Sequence, residues 1–100
     1  MPSLKIAVPH THGLQGALDR LQGFMVRMKE EHKDQVSDLQ ESWQGNRLDY
    51  SFKTFGLKVR GAVEVHEDNV AVHTDLPLAA IMFKGRIEQE IRETLEKALA

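Results

Sequence analysis

Residues 43–76 read WQGNRLDYSFKTFGLKVRGAVEVHEDNVAVHTDL, and the alternation within them decides the fold. Trp43, Leu48, Tyr50 and Phe52 form one set of large side chains. Leu57, Val59, Val63 and Val65 form a second, and Val70, Val72, Thr74 and Leu76 a third. Successive Cβ atoms along a strand point to opposite sides of a sheet, so each set lies on one face. Between them stand Asp49, Ser51, Lys53, Lys58, Arg60, Glu64, Ala71, His73 and Asp75, nearly all compatible with water. One covered face and one wet face is the pattern of an antiparallel sheet.

Outward from this stretch, Leu4, Ile6 and Val8 alternate with Lys5 and Ala7 and predict a short first strand ended by Pro9. His10-Thr11-His12-Gly13 makes a turn that caps the first helix. In that helix Leu14, Ala17, Leu18, Leu21, Met25 and Met28 recur at helical spacing, with Phe24 at the edge of the stripe and the charged run Glu30–Asp34 at its end. Val36–Gln44 alternates poorly, with Glu41 between Leu39 and Trp43, and reads as an edge strand. Gly45-Asn46 turns it into the Arg47–Thr54 strand, Phe55-Gly56 makes the next break, and Glu67-Asp68-Asn69 turns the last hairpin. Pro77 suits the first turn of a helix, with Asp75 placed to cap it. The stripe Ala80, Phe83, Ile87, Ile91, Leu95, Ala98 and Leu99 completes that helix. The order β-α-β-β-β-β-α, with turns too short for parallel crossovers, predicts an α+β fold. The expectation is a two-layer sandwich, a twisted antiparallel sheet with two helices on one face.

One hundred residues suit a single domain spanning 1–100, with one modest core. A net charge of −2 gives no bulk drive toward nucleic acid or anionic lipid. The absence of cysteine excludes disulfides and thiolate metal sites. The opening MPSLKIAVPHTHG is too short in apolar residues for a signal peptide, and no run approaches the roughly 20 apolar residues of a membrane span. A cytoplasmic protein is expected.

The chain resembles a small bacterial family, the polyhydroxyalkanoic acid system proteins, over nearly its whole length. The resemblance is carried by His12-Gly13-Leu14, where the family usually reads His-Ser-Leu, before a helix with Ala17 and Leu21. Trp43-Gln44-Gly45-Asn46, the Phe52-to-Gly56 segment, and Gly61 with Val63 and Val65 carry it further. Leu76-Pro77-Leu78 and the last helix around Phe83-Lys84 and Ile87-Glu88 complete it. These positions mostly specify a fold, so no catalytic residue is carried over. The resemblance implies association with polyhydroxyalkanoate storage, at the granule surface or in its regulation. The element order is also similar to a reduced helix-grip fold, which holds hydrophobic ligands between a sheet and a C-terminal helix.

The residues themselves offer few chemical sets. His10 and His12, with His66 and His73, invite a zinc site, but no carboxylate stands at a diagnostic spacing, and solvated loop and sheet-face histidines are the plainer reading. Glu64, Asp75, Glu67 and Asp68 fall on a wet face or in a turn, outside the cleft that general acid–base work needs. No serine sits in a Gly-x-Ser-x-Gly elbow, and no glycine-rich loop opens a helix. No catalytic residue, metal site or cofactor is therefore expected. Phe24, Met25, Met28, Met82 and Phe83 read as core, or as the lining of a pliable pocket.

Trp43, Tyr50, Lys53, Lys58, Arg60 and His73 form the candidate interaction surface, although Trp43 also suits the open end of the core. The aromatics alternate inward, leaving no stacking platform for RNA. The reading is a non-enzymatic accessory protein of polyhydroxyalkanoate storage, acting by contact with granule proteins, the granule surface or itself. A domain holding an acyl or other hydrophobic molecule is the alternative, and a hydroxyacyl-metabolising enzyme ranks third. A sheet with an unpaired edge also predicts self-association as a homodimer.

Overall fold

The computed structural model describes residues 3–54 and 56–100. Its elements are β1 (Ser3–Pro9), α1 (Gly13–Glu31), β2 (Ser37–Gln44), β3 (Arg47–Thr54), β4 (Leu57–Val65) and β5 (Asn69–Asp75). A 3₁₀ segment, Leu78–Phe83, then leads into α2 (Lys84–Ala98). The strands form one sheet in the order β1-β5-β4-β3-β2, antiparallel at every join. The fold is α+β, with both helices on one face of the sheet. Phe55, half of the expected break between β3 and β4, lies outside the described residues, as do residues 1 and 2.

Register turns the sequence alternation into two faces. Ile6 stands opposite Val72 and Val8 opposite Val70, while Val63 faces both Val72 and Leu48 across its two neighbours. These residues meet the helices. Ile6, Val8, Val65, Val70 and Val72 pack with Ala17 and Leu21 of α1 and with Leu95 and Leu99 at the end of α2. The core is thus deepest where α1 begins and α2 ends. Since β1 and β2 are the two edges, α1 has to carry the chain from one edge of the sheet to the other.

Both edges are blunted. Arg92 of α2 donates to the Ala7 carbonyl of β1 at 3.3 Å. β2 is bulged between Ser37 and Gln40, with Asp38 at φ +53, and a bulge twists an edge away from a further strand. The poor alternation of β2 also has a cause. Glu41 stands opposite Tyr50 on the helix face, where its Oε1 accepts from Lys29 Nζ of α1 at 2.6 Å. A charge occupies an inward position because a cation reaches down to it.

Two expectations about the last helix need correction. Asp75 does not cap it; Asp75 ends β5 and pairs with Arg60 at 3.6 Å, and Pro77 precedes the 3₁₀ segment without a side-chain cap. Phe83 is not core. It sits at the junction of the 3₁₀ segment and α2 with φ −105 and ψ 11, outside helical values. The 3₁₀ segment turns every three residues rather than 3.6, so Leu78–Phe83 drops out of phase with the stripe from Ile87 onward. Phe83 is 56% exposed in consequence, and Met82, expected beside it in the core or a pocket, is 88% exposed.

Candidate functional site

The open face of the sheet is lined by alternate residues of β2 to β5, and its twist makes a shallow concavity of about 500 Å³. Gln40, Ser42, Arg47, Asp49, Ser51, Arg60, Ala62, His73 and Asp75 contribute to it. Arg47 organises one side: its Nη2 lies 3.2 Å from Asp49 and its Nη1 3.1 Å from Glu64 across the β3–β4 pair. The hydrogen bond to Asp49 and that carboxylate's charge hold the Arg47 guanidinium still more firmly protonated than usual. Arg60 and Asp75 form a second cross-strand pair. Lys53 stands opposite Lys58 and lies 3.4 Å from Asp38. His73 is exposed between Lys5 and Ala62 in register.

Four of the six candidate residues, Lys53, Lys58, Arg60 and His73, therefore share the open face. Trp43 and Tyr50 lie on the other one. Trp43 stands opposite Leu48 and is half-buried at the β2 end of the helix-covered face. Tyr50 lies opposite Gly61, and its hydroxyl reaches over that glycine to Thr74 Oγ1 at 2.5 Å. The pair ties β3 to β5 across β4.

Burial raises the Tyr50 phenol above its ordinary value of 10.0; the Thr74 hydrogen bond acts in the opposite sense and Asp75 adds to the rise. An unfolded chain then loses the phenolic proton first, so above about pH 10 the native state holds more protons and stability falls as pH rises. Tyr50 is the only tyrosine, so absorbance at 295 nm reads it directly. Its titration is expected above that of the urea-unfolded chain, and Tyr50→Phe is expected to flatten the alkaline loss of stability. Coincident titrations of folded and unfolded protein would refute this.

The histidines before α1 are not solvated, contrary to the sequence expectation. His10 is 8% exposed. Its Nδ1 accepts from the His12 backbone N–H at 3.1 Å, and its Nε2 lies 2.9 Å from the His66 carbonyl. A backbone N–H only donates and a carbonyl only accepts, so His10 carries its proton on Nε2. The His10 N–H also donates to the Asp68 carbonyl at 2.9 Å. His12 stacks on His10, with centroids 5.9 Å apart, and its Nε2–H donates to the Leu99 carbonyl at the end of α2.

Gly13, at φ +72, has no side chain to cap α1, and Glu67 of the β4–β5 hairpin supplies the acceptor for the Leu14 N–H at 3.2 Å. A carboxylate there also complements the helix dipole. Alternation showed none of this, because the partners come from chain segments far apart. Among the described residues no group of three or more His, Cys, Asp or Glu is placed to hold a metal ion. Nor is any helix of those residues long and apolar enough to cross a membrane.

Neither the curated proteins nor the solved structures include a significant match. Residues 4–99 match the family model described as "Putative polyhydroxyalkanoic acid system protein", and the chain therefore belongs to that family.

Proposed function

We propose that this protein is a non-enzymatic accessory component of polyhydroxyalkanoate storage, either granule-associated or regulatory, and built as one domain. It works by contact with granule proteins, the granule surface or a second copy of itself. Family membership over residues 4–99 is the observation that carries this reading. The open face supports it in a smaller way. Arg47 is shared between Asp49 and Glu64, and Arg60 pairs with Asp75, which suits a contact surface better than a set of reacting groups. Lys53, Lys58 and His73 are the side chains that a partner would meet there.

Storage of an apolar ligand under the C-terminal helix has less support. Leu95 and Leu99 pack directly on the sheet residues at that end, in one cluster with Ala17 and Leu21. The test is fractionation of polymer-accumulating cells that express the tagged full chain. The protein is expected to travel with the granules or to capture a granule protein. Recovery wholly in the soluble fraction, with no granule protein captured, would overturn the proposal.

A further inference from the structure

The 3₁₀ segment between β5 and α2 puts large apolar side chains into solvent. Leu78 is 76% exposed, Ile81 44%, Met82 88% and Phe83 56%. They fall within six consecutive residues, so four large apolar side chains face water in one short segment. Scattered exposed leucines need no account, whereas four large apolar side chains exposed within one short segment point to a contact.

The charges within the segment itself are of one sign, with Asp75 and Glu88 lying just beyond its two ends. From Leu76 to Ile87 the chain reads LPLAAIMFKGRI, with two cations and no acid, although the whole protein carries −2. Lys84 and Arg86 come immediately after the apolar residues, at the exposed start of α2. Arg86 also pairs with Glu90 at 3.3 Å, but both side chains are well exposed, and such a surface pair holds little. Apolar residues at a tip with cations just behind them are the arrangement of a segment that enters an anionic interface. The apolar chains leave water while the ammonium and guanidinium groups stay at the headgroups.

A second copy of the chain fits less well. The segment, residues 78–86, is nine residues long, whereas a stable protein interface draws roughly 20–30 residues from each side. It also places two cations at its rim, which would have to meet their own kind or an acid from elsewhere across a twofold axis. An interface of fluid acyl chains demands no shape complement and accepts a small patch.

We infer that residues 78–86 are a docking segment for a lipid surface bearing anionic headgroups, with Met82 and Phe83 inserted and Lys84 and Arg86 at the headgroup level. This deepens the granule reading, and rests on it only for where in the cell the segment acts.

Vesicle co-sedimentation of the full chain tests it. Binding to vesicles of phosphatidylcholine with phosphatidylglycerol is expected to exceed binding to phosphatidylcholine alone by about tenfold or more at low salt. Met82→Asp together with Phe83→Asp should abolish binding to both, and Lys84→Glu with Arg86→Glu should remove the preference for the anionic lipid. All four sites are exposed, so melting temperature and circular dichroism should not change.

The inference fails if the unsubstituted protein does not bind the anionic vesicles, or if the Asp pair binds as well as it does. It also fails if the protein is a dimer that the Asp pair dissociates, since a second copy then covers the patch. Granule fractionation separates the two proposals. Protein found on granules but not on vesicles sinks this inference alone, and protein found on vesicles but absent from granule fractions sinks the granule reading alone.

Discussion

Replacing Gly61 by alanine is expected to lower stability by about 3 kcal/mol, the upper end of what overpacking costs. Gly61 lies on the helix face of β4, between Tyr50 and Thr74 in register. A Cβ built there would overlap the His73 carbonyl oxygen and stand 2.8 Å from the Tyr50 hydroxyl and 2.9 Å from the Thr74 Cα. Two of those three neighbours are backbone of β5, which cannot give without opening the β4–β5 ladder.

For a chain of this size the loss amounts to a fall in melting temperature of roughly 12–24 °C. Tyr50→Phe removes one of the three overlaps, so Gly61→Ala should cost less in that background while remaining destabilising. Gly85 provides the opposite sign. It lies in α2, where an added methyl group would meet nothing within 4 Å, and Gly85→Ala should stabilise by about 1 kcal/mol or less. Thermal unfolding of Gly61→Ala, Tyr50→Phe, the two combined and Gly85→Ala decides the matter. A Gly61→Ala protein that melts within about 2 °C of the parent would show that the strands part to admit the methyl group.

Gly61 also shows how far the sequence can be read. The inward set of β4 runs Leu57, Val59, Val63, Val65, and the missing member at 61 is visible as a gap in the alternation. The occupant of that gap is not. Only the register places Tyr50 opposite Gly61 and Thr74 on its far side, so that the phenol crosses the glycine to reach the hydroxyl. The faces of β3, β4 and β5 were legible because period two admits no other arrangement once one face is covered.

The phase of the last helix was not legible in that way. Ala80 and Phe83 fit the same 3.6-residue stripe as Ile87 and Ile91, and nothing local distinguishes a 3₁₀ start from an α start. Among the candidate site residues, parity alone put Lys53, Lys58, Arg60 and His73 on the open face. The same parity put Tyr50 and Trp43 on the covered one, apart from the other four. Glu41 was the reverse case: a charge at an inward position made β2 look irregular, and Lys29, twelve residues earlier, resolves it.

Substituting His10 by leucine should cost about 2 kcal/mol, because two part-buried backbone groups lose their partners, and such a loss costs about 1–3 kcal/mol when the group is fully buried and less when water can reach it. The His12 N–H loses the Nδ1 acceptor, and the His66 carbonyl loses the Nε2–H donor. Leucine fits the space approximately and offers neither. The damage should spread to the end of α2, since His12 is held against the Leu99 carbonyl by its stacking on His10. Amide exchange of the last turn, where the Leu99 N–H donates to the Leu95 carbonyl, should therefore quicken more than exchange in β3.

His66→Leu and His73→Leu are the controls that give the result meaning. His66 takes part through its backbone, with its ring exposed 3.7 Å from Glu64, and His73 projects from the open face. Both should stay within about 0.5 kcal/mol of the parent. A large effect confined to His10 identifies that histidine as the clasp joining the start of α1, the β4–β5 hairpin and the end of α2. Equal, small effects at all three positions would mean that water replaces the ring without loss, and the clasp would have to be assigned to the backbone bond from His10 to Asp68 instead.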